Sequence, residues 1–400
     1  MSEKNLFGAV ALCVNHLAGF VDLVILPIWV GVLSQHYKND PQQAGAIVSL
    51  FLVGQVLASI IVSPRYDRIN KRRMAAAFGF LLGALCMFMC SQAGTFIVLA
   101  ILHFIAGLAV GSALSLTHGT IGRSENPHRL FAIASLSLGV FSILFYVIVN
   151  PLIIKFGGQL LFQFIAGLNL LGAVGSILFF PSYAKTVRLQ EYEAARVDSG
   201  GGHTRLPPIV WFTVAGLMGM AMITAMASAF FERLGIASGY RPESINLILL
   251  INGILLLTPP ILAAILQKYL RVRTVAMAGI IFQALVVIII YTSSNFWQYA
   301  LVAWGVGFAA IFTHTFLFGY LAYMDPSGRV VAANPAVIMT GSMLGPFIGG
   351  TLVKLFGFPA IACFVFVWNL LILLICFRRI KDVSPEQMSA SAAIETSPVS

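Results

Sequence analysis

Residues 156–171 read FGGQLLFQFIAGLNLL and residues 356–371 read FGFPAIACFVFVWNLL, sharing Phe-Gly at one end and Asn-Leu-Leu at the other. The spacing is 200 residues, and the same shift aligns further positions that an apolar composition does not explain. Arg68 falls on Lys268, Arg73 on Arg273, Gly79 on Gly279, Gly107 on Gly307, Gly119 on Gly319, Glu125 on Asp325 and Arg129 on Arg329. In a membrane protein a glycine marks a close helix crossing and a loop charge marks a helix end. The register runs without a gap from the third apolar run of each half to the sixth, so both halves keep one helix order and one topology. Two parallel six-helix repeats, related by an axis along the membrane normal, make a transporter architecture with its binding site between the halves.

Working outward, the whole chain is 59% hydrophobic and 10% charged, with a mean hydropathy of +0.93. A soluble domain carries about a quarter of its residues as charges, so the lipid bilayer is the solvent here. A spanning helix needs about 20 mainly apolar residues. Twelve such runs are expected: Leu6–Leu33, Ala44–Val62, Met74–Cys90, Thr95–Ile121, Leu130–Phe156, Leu160–Phe180, Pro208–Phe231, Ser244–Leu266, Thr274–Tyr291, Trp297–Met324, Val330–Phe356 and Pro359–Phe377. The fold class is an all-α membrane protein. Its parts are a six-helix bundle over 1–180, a cytoplasmic linker over 181–206 with the flexible Ser199-Gly200-Gly201-Gly202, a second bundle over 207–381, and a disordered cytoplasmic tail over 382–400.

Of the 24 lysines and arginines, 19 fall in segments that are internal if the N-terminus is cytoplasmic, and Lys38, Lys155, Arg233, Arg241 and Lys354 fall outside. That bias predicts cytoplasmic termini. It also accounts for the net charge of +10 as a topology signal spread over short loops, so no nucleic acid is expected as partner. All five cysteines lie in apolar runs, without C-x-x-C spacing or a histidine at zinc spacing, so neither disulfide, metal nor other cofactor is implied. The N-terminal run contains an acid and no A-x-A pattern, and reads as a retained first helix rather than a cleaved signal.

Between the second and third runs lies Ser63-Pro-Arg-Tyr-Asp67-Arg68-Ile-Asn70-Lys71-Arg72-Arg73. It resembles the loop signature G-x-x-x-D-[RK]-x-G-[RK]-[RK] of the major facilitator superfamily at the acid and the basic cluster, and departs from it at both glycines, here Ser63 and Asn70. Asn tolerates the left-handed backbone that a turn glycine supplies. The resemblance implies a secondary transporter of a bacterial-type inner membrane, working by alternating access. It also implies a cytoplasmic gate at Asp67, Arg68 and Arg72, where a carboxylate can face the positive N-terminus of the eleventh helix.

Of the fourteen acids only Asp22 falls well inside a predicted span, where burying it costs roughly 2.5–3.5 kcal/mol. Helical spacing puts Asn15, Ala18, Gly19, Asp22 and Trp29 on neighbouring positions of one face, a small and polar stripe suited to a water-filled cavity. Asp22-Leu-Val-Ile-Leu-Pro27 resembles the first helix of the superfamily's drug/proton antiporters, in which an acid precedes a proline. In the fourth helix His103-Phe-Ile-Ala-Gly107 stands where those antiporters carry R-x-x-x-G, so a titratable group replaces a fixed charge. Asp22 and His103 should lie at similar depth, and together they are the expected proton-coupling pair. Asn15, Trp29, Asn252 and, near mid-membrane, His314 are the expected substrate contacts. Gly345-Pro346-Phe-Ile-Gly349-Gly350 resembles the antiporters' G-P-x-x-G-G but lies in the eleventh helix rather than the fifth, so it speaks for bending and close packing.

No H-E-x-x-H is present, and Ser112 with His118 has no third group to complete a triad, which disfavours a membrane-embedded enzyme. A channel or receptor has no need of two halves with equal topology. Spans rich in aromatics and free of deep Lys or Arg predict a small, neutral or amphipathic solute, moved as a monomer by proton-coupled export (antiport). The alternative is proton-coupled uptake (symport) of a nutrient or organic acid.

Overall fold

The structure, a computed structural model, describes residues 3–124, 127–181, 206–324 and 334–380. Residues 182–205 of the expected linker and the tail from residue 382 lie outside the described residues. Among those described, twelve helices are long and apolar enough to cross a membrane. They are α1 Leu6–Gln35, α2 Pro41–Arg68, α3 Arg72–Gln92, α4 Phe96–Ile121, α5 Arg129–Phe156, α6 Gln159–Phe179, α7 Pro208–Ala237, α8 Pro242–Leu266, α9 Val272–Thr292, α10 Phe296–Leu321, α11 Ala336–Phe356 and α12 Pro359–Arg379.

Their ends follow from the sequence. Pro41, Pro208, Pro242 and Pro359 open helices, where a missing N–H costs nothing. Asn295 caps α10 by accepting from the Trp297 N–H at 2.8 Å. Gly157 and Gly357 close α5 and α11 in the left-handed region, at φ of 104° and 79°, a conformation that glycine adopts without a Cβ penalty. The repeat is thus visible in the backbone: α3 and α9 begin and end 200 residues apart, and the paired glycines make the same reversal. Apolar side chains such as Phe78, Leu81, Leu85 and Phe88 face outward from α3, as they do when lipid rather than water surrounds the bundle.

The chain forms two compact units, Met1–Ile25 with Leu50–Arg205, and Leu26–Ser49 with Leu206–Ser400. In the first, α3 packs along both α4 and α6, and Gly107 of α4 leaves no room for a side chain against the Phe51 carbonyl of α2. In the second, α9 packs on α10 and α12 around a core that includes Leu217, Ile280, Leu317, Tyr320 and Phe377.

Segment Leu26–Ser49, the last part of α1 and the first of α2, belongs to the second unit by its bonds. Ser49 Oγ accepts the Phe347 N–H at 3.1 Å, Gln42 Nε2 donates to Thr351 Oγ1 at 3.3 Å, and Lys354 Nζ pairs with Asp40 at 2.9 Å. Burial alone would raise the Asp40 carboxyl, but the Gln43 N–H and the Lys354 ammonium outweigh it and hold it below the usual aspartate range. A depressed carboxyl contributes stability above its unfolded range and loses it as the pH falls through the folded value. The pair therefore holds at neutral pH and releases only in strong acid.

Candidate functional site

Helix α1 is two helical segments, Glu3–Gly19 and Val21–Gln35, separated at Phe20. The break frees the Gly19 carbonyl, and Gln55 of α2, fully buried, donates to it at 2.8 Å. Asp22 falls in the first turn of the second segment, where unpaired N–H groups and the positive end of the helix dipole favour a carboxylate. Its side chain is buried and its Oδ1 has no hydrogen-bond partner. Tyr146 of α5 donates to the Val24 carbonyl at 2.8 Å, bracing the turn that carries Asp22. That bond lies beside a π-type turn over Phe145–Val149, just ahead of Asn150-Pro151.

His103 is fully buried on α4, its Nδ1 donating to the Leu99 carbonyl at 2.7 Å and its ring edge-on to Phe162. Since Oδ1 of Asp22 is without a partner, a hydrogen shared with His103 is not formed through that atom. Asn15 is engaged close to its own helix: its amide meets Ser176 Oγ of α6 at 2.9 Å and Thr117 Oγ1 of α4 at 3.4 Å, and the flipped amide would instead donate to the Ala11 and Gly172 carbonyls. Beside it His16 and His118 share one hydrogen across 3.0 Å, flanked by the rings of Phe20 and Phe131.

These groups belong to the first unit. Trp29, Asn252 and His314 belong to the second, Trp29 fully buried, Asn252 half-buried on α8, and His314 buried on α10 with Nε2 unpartnered. The second unit has its own buried amide chain. Gln283 of α9 donates to the Met220 carbonyl and to Thr224 Oγ1 of α7, and Asn369 of α12 donates to Gln283 Oε1 at 3.3 Å.

At the expected gate, Asp67 and Arg72 do meet, at 3.8 Å, but the closer partner of Asp67 is Arg123 at the end of α4, whose guanidinium reaches both carboxylate oxygens at 3.0 Å. Tyr66 lies between the two arginines, 4.3 Å and 4.0 Å from its ring centre, and its hydroxyl bonds Thr120 at 2.7 Å. Arg68 is exposed. Arg123→Gln is expected to slow solute counterflow by roughly fivefold, the effect of about 1 kcal/mol for a half-exposed ion pair. Combining it with Asp67→Asn should cost no more than either change alone, because both remove the same contact. Additive losses would show that Asp67 and Arg123 act separately.

Sequence reasoning passed over Gln55, Gln283 and Arg123, and over Glu232 near the end of α7. Gln55 and Gln283 were legible as lone amides in apolar runs. Arg123 read as a loop charge. Glu232 was excluded because its apolar run stops at Phe231, whereas α7 continues to Ala237 and ends before Gly239, at φ 80°.

The sequence pattern of the Major Facilitator Superfamily matches residues 11–325. The chain belongs to this superfamily. A bacterial homologue of the human lysosomal transporter Spinster, inward-facing and unoccupied, superposes with a TM-score of 0.72 at 12% identity, covering 98% of each chain. A D-xylose–proton symporter superposes with a TM-score of 0.68 at 13% identity, over 95% of this chain and all of that one. At such identities these superpositions show the superfamily's fold alone. By sequence, the chain is 31% identical over 108 residues to the 4-hydroxybenzoate transporter PcaK of Pseudomonas putida, which is 27% of this chain and 24% of that protein. A PcaK from Acinetobacter baylyi matches at 28% over 114 residues. The chain spans about a quarter of the length of the curated relatives it matches. Twelve apolar helices among the described residues fit a multi-pass membrane protein, and the family and fold are those of secondary transporters.

Proposed function

We propose that this superfamily member carries a small organic acid bearing an aromatic ring into the cell together with a proton, and that Asp22 is the group that takes up and releases that proton. The carrying observation is the Asp22 carboxylate, buried at the break in α1 with Oδ1 unpartnered. Such a group is paid for by neutralisation or by a function. His103, fully buried on α4 with its Nδ1 on the Leu99 carbonyl, is proposed as the second proton-handling group. Asn15, Trp29, Asn252 and His314 remain the proposed solute contacts, and Asp67 with Arg72, Arg123 and Arg68 the proposed cytoplasmic gate. The membrane is a bacterial-type inner membrane, with both termini cytoplasmic, as the distribution of Lys and Arg supports.

Kinship with the 4-hydroxybenzoate transporters supports an organic acid, and this favours uptake over the export expected from composition. An organic anion that enters spans whose Lys and Arg all lie towards the helix ends needs another source of positive charge, and a co-transported proton supplies it. The test is transport of radiolabelled 4-hydroxybenzoate, then of dyes, drugs and metabolites, into proteoliposomes with a pH gradient of either sign and the membrane potential clamped. Protein-free vesicles correct for passive entry of the weak acid. Symport accumulates solute on the alkaline side beyond that control. Accumulation on the acidic side would instead make the protein an exporter working by antiport.

A further inference from the structure

We propose that Glu232 of α7 is a second proton-binding group of this transporter, carrying its proton when α1 is seated against α7 and losing it when the two part. The inference needs only that the protein is a transporter whose helices part and close, and it is independent of solute and direction.

Glu232 lies in the last turns of α7, where the Gln35 end of α1 crosses it. Its Oε1 accepts a hydrogen bond from Gln35 Nε2 at 3.3 Å, and its Oε2 is shielded from solvent and has no partner. The shield is the backbone of α1. A Cβ at Gly31 would overlap Oε2 and stand 2.7 Å from the carboxyl carbon. Gly31 is the notch that admits this carboxyl, one turn before the residue that bonds it.

The charges around it do not supply a counter-ion. Arg233 follows it on α7 and acts on it through space, without an ion pair. From α10, Tyr299 faces the same cluster but gives its hydroxyl hydrogen to the Phe231 carbonyl at 2.8 Å. Tyr291 of α9 and Tyr240, just past α7, lie behind Tyr299, and Tyr291 likewise donates to a backbone carbonyl, that of Ala227 at 2.6 Å. Just past α1 the next titratable group is His36, its ring edge-on to Tyr37. The Asp40–Lys354 pair holds down to strong acid, so it does not respond near neutrality.

An ionised carboxylate with one neutral amide donor and one sealed oxygen is costly, whereas the protonated acid needs far less compensation. When α1 withdraws, water reaches Oε2 and the acid ionises. The seated arrangement therefore binds one proton more than the parted one. By linkage the parted-to-seated ratio then changes by up to about tenfold per pH unit over the range between the two proton affinities, with acid favouring the seated form.

Two measurements on the full-length protein in detergent test this. At neutral pH the infrared carbonyl stretch of protonated carboxylic acids should be present, should persist in Asp22→Asn, and should lose a component in Glu232→Gln. A band unaffected by Glu232→Gln, or absent once Asp22 is replaced, overturns the proposal and leaves the proposed role of Asp22 intact. Second, Ser34→Cys places a thiol at a buried position beside the notch, and its maleimide labelling rate is compared with and without Glu232→Gln. The ratio of the two rates cancels the thiol's own titration. It should be near one in acid and climb with pH. A ratio flat across the range shows that parting is not linked to Glu232. The infrared measurement on Asp22→Asn needs no change at Glu232, so loss of the band there overturns the proposal even where Glu232→Gln folds poorly.

Discussion

Asp22→Asn is expected to abolish proton-driven accumulation while leaving solute exchange intact. The amide fills the same volume at the break in α1 and can still accept at Oδ1, so the turn carried by Tyr146 and Gln55 should survive. It cannot release a proton. One pH unit is worth about 1.4 kcal/mol per proton, so vesicles with a gradient of about one unit should reach roughly tenfold accumulation with a single coupled proton, and none with the variant. Counterflow under equal pH on both sides needs no net proton movement. It should stay within about twofold, since surface and exchange steps that bypass the proton lose no transition-state contact. Uphill accumulation by Asp22→Asn would remove Asp22 from the coupling step. Loss of counterflow together with accumulation would make it a structural acid instead.

The fold was legible because the evidence for it repeats. Hydropathy alone counts runs, but Gly157 and Gly357 had to be turn glycines in both halves, and both take a positive φ. The site was legible only where one residue breaks a local rule. Asp22 is an acid within an unbroken apolar run, so its cost is visible from neighbours along the chain. The break at Phe20 is not, because apolar residues continue on both sides and hydropathy does not change. Only the Gln55 amide on the freed Gly19 carbonyl marks it, from 36 positions away. Arg123 joins Asp67 across 56 positions, and no local pattern separates that arginine from one that merely sets topology. Glu232 was hidden by a boundary. Its burial depends on a glycine about 200 residues earlier, on a helix whose periodicity offers no sign that a carboxyl seats there.

A larger effect is expected where helices meet backbone to backbone. A Cβ at Gly45 of α2 would overlap the Pro346 carbonyl of α11, and one at Gly350 of α11 would overlap the Pro41 carbonyl of α2. Neither obstacle is the tip of a side chain that could swing aside. Gly45→Val and Gly350→Val should each cost the contact about 1–3 kcal/mol by overpacking, lowering its population roughly five- to hundredfold. Both positions have ordinary helical φ, so valine is compatible with its own helix and the bundle should still assemble. The contact can be read directly, since Asp40 and Lys354 stand 2.9 Å apart across it and a zero-length carbodiimide joins them only while α2 lies on α11. The cross-link should fall with the transport rate in either variant. The double variant should be no worse than the singles, because both changes break one contact. Lys354→Gln separates the two layers of this junction. Its half-exposed ion pair contributes at most about 1 kcal/mol, so transport should fall far less than with either valine. A Gly350→Val protein that cross-links and transports like the unaltered chain would mean that α2 and α11 need not touch for the cycle to run.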